Sequence, residues 1–415
     1  MSRSKLNKLH RRWSTGLLVS VISALVLTAC GSSTSSPGST GGSASTTGAK
    51  SPIIIGAVID ETNTMKPFDV PAIQAAQIQA SQINAKGGVG GRKIEFKVYN
   101  DQLDSSLTRS DAIAAVSAGA SILWVSCDVD YATPAIQVGL QNKLLTIAPC
   151  IGTDQMGPSR FGPAGKLAFS FGNAPQSDGA VLATLMINHG WKTATVVTDK
   201  LLTYFDTVCQ NFTKDFTKMG GNVVSKLSYT SGDHTAPQVG GQAAQSSAAA
   251  TVLCSTTTPD LPTFVTAVRT LGNQKPIVGP WAIDGGFWEP SNPSISNNIW
   301  WATFASVFGD DPSPQIRSLE AEMAAKGEAP STGGFVTGPS AVQGIVAAIE
   351  QAGGSLNGAK LAGIMESFHN LNTISGPASF SSTVHTVVGR PYRIIELTAG
   401  KPHFVEMLAP GPLGS

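Results

Sequence analysis

The fold is decided by Ile53–Ile59 (IIIGAVI) and the two segments that follow it, 69–86 and 93–99. The first segment is a continuous apolar run, which is typical of a strand buried on both faces. The second segment places apolar residues at helical spacing, and the third (KIEFKVY) alternates as a strand does. Strand, helix and strand in this order predict a parallel βαβ unit.

The same alternation continues along the chain and then restarts. Helices are predicted over 105–118 and 132–141, with strands over 122–126 and 144–148. A second series of helices and strands runs from 179 to 279, followed by a strand at 299–304, three helices, and a hairpin over 390–406. We therefore expect an α/β protein with two doubly wound parallel-sheet lobes. Residues 51–407 are too many for one typical core, which agrees with two lobes.

Residues 1–30 have the pattern of a bacterial lipoprotein signal peptide. A basic start is followed by the apolar run 17–27, which is too short to span a bilayer. The run ends in Leu27-Thr28-Ala29-Cys30, which resembles a lipobox whose cysteine is lipidated. Residues 31–50 form a Ser/Thr/Gly linker, and 408–415 form a tail. The prediction is an extracytoplasmic protein held on the membrane by lipid on Cys30; an uncleaved membrane anchor is the alternative.

Composition excludes several function classes. The formal net charge is +1, and no basic stretch follows the signal. The sequence therefore lacks the basic patch that a nucleic-acid-binding protein needs. The histidines are scattered, and neither HExxH nor G-x-S-x-G occurs. We expect no enzyme, no metal and no cofactor. A hydrolase using paired carboxylates among Asp60, Glu61, Asp128 and Asp130 is a minor alternative.

Four cysteines remain once Cys30 is set aside: Cys127, Cys150, Cys209 and Cys254. An even number of thiols in an exported protein suggests two disulfides, with three pairings possible. None of the four has the spacing of a metal site.

The segment 83–94 (INAKGGVGGRKI) resembles the end of the first helix in the leucine/isoleucine/valine-binding family of solute-binding proteins. Asn100-Asp101, Thr133-Pro134-Ala135 and the pair VTAVRTLG (265–272) and PIVG (276–279) are also similar to that family. The resemblance covers nearly all of residues 52–407.

The resemblance implies a type I periplasmic-binding fold, in which three chain crossovers join two lobes and the ligand lies between them. Here the crossovers should fall near 171–173, 301–304 and 375–378. Lobe one would comprise 52–171 plus 304–375, and lobe two 172–303 plus 376–407. In this geometry Cys127–Cys150 and Cys209–Cys254 are the favoured disulfides, because pairing within each lobe leaves the hinge free.

The same resemblance identifies the loops after the strands as the ligand site. Its predicted residues are Phe68, Asp128, Tyr131, Cys150, Gly152, Thr153, Tyr204, Trp281 and Asp284. Asp128 stands where amino-acid-binding members have a small hydroxyl residue, and Trp281 stands where they have an acid. An ionised Asp128 would repel a ligand carboxylate. These departures favour a cationic or hydroxylated ligand stacked on Trp281, Trp288 or Tyr204. The alternative is that Asp128 caps a helix and the tryptophans are core.

The expected function is a monomeric solute-binding lipoprotein that delivers a small polar organic solute (amino-acid-like, amine or hydroxylated) to the permease of an ABC importer. A ligand sensor of the same fold that feeds a signalling partner is the main alternative, and a cleft hydrolase is the third.

Overall fold

A computed structural model describes residues 50–411. The predicted signal peptide, Cys30, nearly all of the linker and residues 412–415 lie outside the described residues. Within 50–411, no helix combines the length and the hydropathy needed to cross a bilayer.

The first sheet has five parallel strands in the order β2-β1-β3-β4-β5. The apolar runs predicted as strands form its centre, and every residue of the third and fourth strands is buried. The strands are β1 (Ile53–Ile59), β2 (Ile94–Asn100), β3 (Ile122–Val125), β4 (Leu145–Ala148) and β5 (Ala168–Ser170).

Four helices connect these strands. They are α1 (Lys66–Ala85), α2 (Ser105–Ser117), α3 (Val129–Gln141) and the single-turn α4 (Pro158–Phe161). The segment 83–94 joins the end of α1 to the start of β2. There the Asn84 side chain donates to the Ile94 carbonyl and accepts from the Ile94 N–H, both at 2.8 Å. Gly88 has φ +73°, a conformation that favours glycine. The turn therefore explains the Asn and Gly of this segment.

The second sheet repeats this arrangement with parallel strands in the order β7-β6-β8-β9-β10. These strands are β6 (Thr193–Asp199), β7 (Asn222–Tyr229), β8 (Ala250–Cys254), β9 (Ile277–Gly279) and β10 (Ile299–Thr303). The helices of this lobe are α5 (Pro175–Asn188), α6 (Thr203–Lys218), α7 (Ala236–Ala244) and α8 (Leu261–Thr270).

The remaining chain contributes elements to both lobes. It forms α9 (Pro314–Ala325), α10 (Thr337–Gln351), α11 (Gly358–Met365), β11 (Leu371–Thr373), β12 (Gly376–Ala378), β13 (Tyr392–Thr398) and β14 (Lys401–Leu408). The predicted hairpin is β13–β14, which adds antiparallel to β10 and extends the second sheet to seven strands.

In both sheets the strand order reverses beside the first strand of the series, between β1 and β3 and between β6 and β8. Loops on the two sides of such a switch point leave in opposite directions and open a crevice at the carboxyl ends of the strands. The two lobes present these crevices to each other.

The third crossover lies later in the chain than 375–378, the position predicted from the sequence. Ala378, Phe380 and Val387 all belong to the core of lobe one. Phe380 packs edge-on against Phe169 and Phe171, with ring centroids 5.4 and 5.3 Å apart. These contacts hold the chain on lobe one until β13 begins in lobe two. No apolar period marks this stretch, so the sequence carries no local signal for the crossing.

Both predicted disulfides are confirmed. Cys127–Cys150 joins the loops after β3 and β4, and Cys209–Cys254 joins α6 to the end of β8. Each bond lies within one lobe.

A buried arginine ties the crossovers together. Arg390 donates to the Asn173 side chain at 2.8 Å, to the Phe171 carbonyl at 2.7 Å and to the Ser375 hydroxyl at 2.6 Å. Its guanidinium also lies 5.3 Å from the ring centroid of Phe304, at the second crossover. One side chain therefore contacts elements beside each crossover.

Candidate functional site

A small cavity lies between the two lobes at the carboxyl ends of their parallel strands. Its walls come from the loops after β1, β3 and β4 and from the corresponding loops after β6, β8 and β9. The lining residues are Met65, Phe68, Cys127, Asp128, Gly152, Thr153, Leu202, Tyr204, Phe205, Thr256, Trp281 and Ala282. The cavity measures about 20 Å³, which is room for one or two waters. The lobes must therefore separate to admit an organic solute.

Two carboxylates shape the segment between β1 and α1, which places Phe68 in the first turn of α1. Asp60 accepts from the backbone N–H groups of Asn63 and Met65, at 2.8 and 2.9 Å. Asp69 accepts from the N–H of Asp60 at 3.0 Å and from that of Cys127 at 2.7 Å, so it fastens the ends of β1 and β3 together. Burial raises the pKa of Asp69 to about 7. Both acids are structural and hold the lobe-one wall in place.

Asp128 is the N-cap of α3. Its Oδ1 accepts from the N–H of Asp130 at 2.8 Å and from the N–H of Tyr131 at 3.3 Å. Burial, and then the charge of Asp130, raise the pKa of Asp128 to about 7. Asp128 therefore caps α3 and also lines the cavity. The sequence left open whether it is a helix cap or a ligand residue, and its position allows both roles.

Tyr204 is held rigidly in the lobe-two wall. Its hydroxyl donates to Oδ2 of the buried Asp178 at 2.8 Å, and the Tyr392 hydroxyl donates to Oδ1 of the same carboxylate. Burial raises the pKa of Asp178 to about 7. Because Asp178 is fixed from two sides, the Tyr204 ring has little freedom to move away from the cavity.

Trp281 lies at the centre of an aromatic cluster. Its ring is edge-on to Phe68 of lobe one at 5.1 Å, 6.2 Å from Tyr204 and 5.3 Å from Phe304. The side chain is buried, and its Nε1–H lacks a hydrogen-bond partner among the described residues. A buried donor left without an acceptor costs about 1–3 kcal/mol. A solute that brings an acceptor would remove that cost.

Polar contacts hold the lobes together beside the cavity. Asp130 of α3 accepts from the N–H of Thr203, the first residue of α6, at 2.9 Å. Arg160 bonds the same carboxylate at 2.7 Å. Hydrogen bonds from Thr203 and Arg160 hold the pKa of Asp130 below its usual value, although burial opposes them. In a second contact, Gln176 of α5 donates to Asp154 of lobe one at 3.2 Å.

Six of the nine residues predicted for the ligand site line the cavity: Phe68, Asp128, Gly152, Thr153, Tyr204 and Trp281. The other three lie nearby without lining it. Cys150 is buried in its disulfide, and Tyr131 is half-buried in the first turn of α3. Asp284 was predicted as a ligand residue, but it is buried and does not line the cavity.

Asp284 is part of the core and not of the cavity wall. Its Oδ1 accepts from the Trp301 indole at 2.7 Å and from the Gly285 N–H at 2.8 Å. Its Oδ2 accepts from Thr303 and from the Gly333 N–H, both at 2.6 Å. All four acceptor positions are used, and burial raises its pKa to about 6. Trp288 is likewise core, donating to the Ile283 carbonyl at 2.9 Å.

Sequence reasoning selected the correct loops but missed half of the lining side chains. The missed residues are Met65, Cys127, Leu202, Phe205, Thr256 and Ala282. Four of the six lie in the segments between a strand and the next helix, Phe205 lies in the first turn of α6, and Ala282 lies in a 3₁₀ turn after β9. Position just after a strand was therefore a usable signal. Which side chain of each loop faces inward depends on the packing of the opposite lobe.

Other features of the described chain offer weaker sites. Two larger grooves, of about 430 and 490 Å³, are each lined by one group of neighbouring elements: β6, β7 and α6 in the first, and α1, α9 and α10 in the second. Neither is lined by the strand-end segments of both lobes. In residues 50–411 no group of three His, Cys, Asp or Glu side chains is placed to hold a metal ion. The interlobe cavity is therefore the best-supported site.

Two doubly wound lobes that close over a cavity define a two-lobed binding protein of the type I periplasmic fold. Residues 52–402 match the periplasmic binding protein family model, and the chain belongs to this family. No curated protein matches the chain.

Solved structures of similar fold include LivJ, the substrate-binding protein of a branched-chain amino acid transporter from Streptococcus pneumoniae, in complex with isoleucine. It shares 17% identity over 86% of this chain and 100% of its own, with a TM-score of 0.73. The leucine-binding protein LivK from Thermotoga maritima shares 18% identity over 86% and 99%, with a TM-score of 0.72. A solute-binding protein of an ABC transporter from R. palustris, in complex with benzoate, shares 20% identity over 86% and 97%, with a TM-score of 0.71.

Proposed function

We propose that this protein is the extracytoplasmic solute-binding component of an ABC importer. It would capture a small polar organic solute that is amino-acid-like, an amine or hydroxylated. The observation that carries the proposal is the cavity itself, which is built from corresponding strand-end loops of both lobes. The similarity to binding proteins of ABC transporters that hold isoleucine or benzoate supports it.

Binding follows from closure. An open form exposes the strand-end loops of both lobes, and the solute then lies between Phe68 and Asp128 on one side and Tyr204 and Trp281 on the other. Closing about the crossovers buries the solute and forms the Asp130–Thr203 contact. The closed form is the state that a permease would recognise. We expect a dissociation constant on the order of micromolar, which is about −8 kcal/mol.

The proposal includes export and a lipid anchor. Leu27-Thr28-Ala29-Cys30 would supply the lipidated N-terminus, and the Ser/Thr/Gly linker would give the lobes reach over a membrane partner. A tether of this kind raises the effective concentration of the binding protein at its permease. A monomer suffices for this role, because both walls of the cavity come from one chain.

A thermal-shift screen of amino acids, amines, sugars and aromatic acids tests the proposal. A solute that binds only the folded state raises the apparent stability by mass action. Trp281→Phe should weaken the binding of a hit. Trp191→Phe is the matched control, because Trp191 contacts His189 and Trp300 and does not line the cavity.

The hit must then be recovered intact after incubation, and deletion of the gene should abolish its uptake. Conversion of the hit to a product would contradict the proposal and favour a hydrolase. Intact recovery with unchanged uptake would also contradict it and favour a sensor. If no solute class binds, the proposal that the cavity captures a solute is contradicted.

A further inference from the structure

The cavity contains one ionisable acid and no cationic side chain. Asp128 is the only Asp, Glu, Lys, Arg or His among its lining residues. Arg160, the cation that acts on Asp128, is bound to Asp130 at 2.7 Å and to Gln155 at 2.9 Å. A charged solute therefore finds an ionic partner only if it is a cation.

The position where an anion would bind is already occupied. The N-terminus of a helix attracts carboxylates through its free N–H groups. At α3 those of Asp130 and Tyr131 are taken by Oδ1 of Asp128 itself. A solute carboxylate would meet a carboxyl group in place of free donors. When Asp128 is ionised, it repels a solute carboxylate, and burial strengthens this repulsion because the local dielectric constant is low.

The rest of the wall suits an organic cation that also carries an acceptor. Phe68, Tyr204, Phe205 and Trp281 line the cavity, and aromatic faces attract cations by about 0.5–2 kcal/mol each. The unpartnered Nε1 of Trp281 lies 3.2 Å from where a Cβ on Gly152 would stand, so it borders the gap between the lobes. It requires an acceptor, which a neutral hydroxyl or carbonyl oxygen would provide.

We propose, building on the function proposed above, that the solute is a small organic cation with a neutral oxygen acceptor and no carboxylate. The ammonium group lies against Asp128 and the aromatic rings, and the oxygen accepts from Trp281. Amino alcohols and small quaternary ammonium compounds have this chemistry. Amino acids and aromatic acids carry a carboxylate and are excluded.

Proton linkage supports this orientation. Burial raises the pKa of Asp128 to about 7 in the closed form, so near neutral pH the solute-free closed cavity holds a partly protonated carboxyl. The groups that face it are Asp130, Arg160 and Tyr131. A bound cation favours the ionised form, so affinity for a permanently charged cation should increase between pH 6 and 8 and level off above that.

Two matched trios of probes test the proposal by calorimetry. One is choline, glycine betaine and 3,3-dimethylbutan-1-ol; the other is tyramine, tyrosine and 4-ethylphenol. The cation should bind at least tenfold more tightly than its carboxylate-bearing or neutral partner in at least one trio. Asp128→Asn keeps the helix cap, since asparagine caps as well as aspartate. It should nevertheless abolish that preference and the pH dependence of choline binding.

Asp104→Asn is the control, because Asp104 caps α2 with the same pair of backbone hydrogen bonds and does not line the cavity. The proposal is overturned if a carboxylate-bearing probe binds as tightly as its cation. It is also overturned if Asp128→Asn leaves cation affinity unchanged, or if neither cation binds at millimolar concentration. If another solute class binds instead, only this inference fails; if no class binds, the proposed function fails as well.

Discussion

Replacing Gly152 with alanine should weaken solute binding without unfolding either lobe. A Cβ at this position would lie 2.7 Å from Cε2 of Tyr204 and 3.2 Å from Nε1 of Trp281, both in the opposite lobe. The backbone at Gly152 lies outside the left-handed region, so alanine adopts it without strain. The added methyl group therefore clashes only when the lobes are closed.

The size of the effect follows from how little the neighbours can move. The Tyr204 hydroxyl is bonded to Asp178 at 2.8 Å, and its ring is buried. An extra methyl group in a packed interior costs about 1–3 kcal/mol. Because the cost falls on the closed form alone, solute affinity should drop about 5- to 150-fold.

Calorimetry with the solute from the screen measures this loss, and small-angle X-ray scattering should show that the variant stays more open in the presence of solute. Gly363→Ala is the control, because a Cβ there has no atom within 4 Å and sits in α11. Unchanged affinity in Gly152→Ala would refute the closure geometry. A thermal midpoint well below that of the control, without solute, would show that the methyl group disturbs folding instead.

Three further predictions concern stability. Asp284→Asn should lower the free energy of unfolding, measured by urea titration, by about 2–6 kcal/mol. The asparagine amide group cannot accept from the Thr303 hydroxyl and the Gly333 N–H, so two buried donors lose their acceptor. A loss of solute affinity with unchanged stability would contradict the placement of Asp284 in the core. Replacing Cys209 and Cys254 by serine should cost about 4 kcal/mol, as expected for a 45-residue separation, and an unchanged urea midpoint would count against it. The free energy of unfolding should decrease as the pH rises from about 4 to 7. Several buried carboxyls have pKa values above those of the unfolded chain, so the folded state binds more protons in this range. Greater stability at pH 7.5 than at pH 5 would contradict this prediction. These carboxyls are Asp69, Asp128, Asp178, Asp284 and Glu289.

Much of the fold could be predicted because its signals are local. Apolar runs and helical spacing predicted the main strands and helices of both lobes, and the turn at 83–94 marked where α1 ends. The short strands β5, β11 and β12 were missed, since three residues carry no readable period. The third crossover was misplaced for a related reason, because the contacts of Phe380 with Phe169 and Phe171 are distant in sequence.

The candidate site divides in the same way. The order of strands and helices in the sequence determined which loops meet, because parallel strands bring their carboxyl ends to one edge. Only the tertiary structure decided the role of each side chain in those loops. The Asp284 carboxylate accepts hydrogen bonds from Trp301, Thr303 and Gly333. In contrast, the indole N–H of Trp281 has no partner among the described residues and borders the cavity. Those roles depend on groups brought close by folding, and no residue pattern within a single loop encodes them.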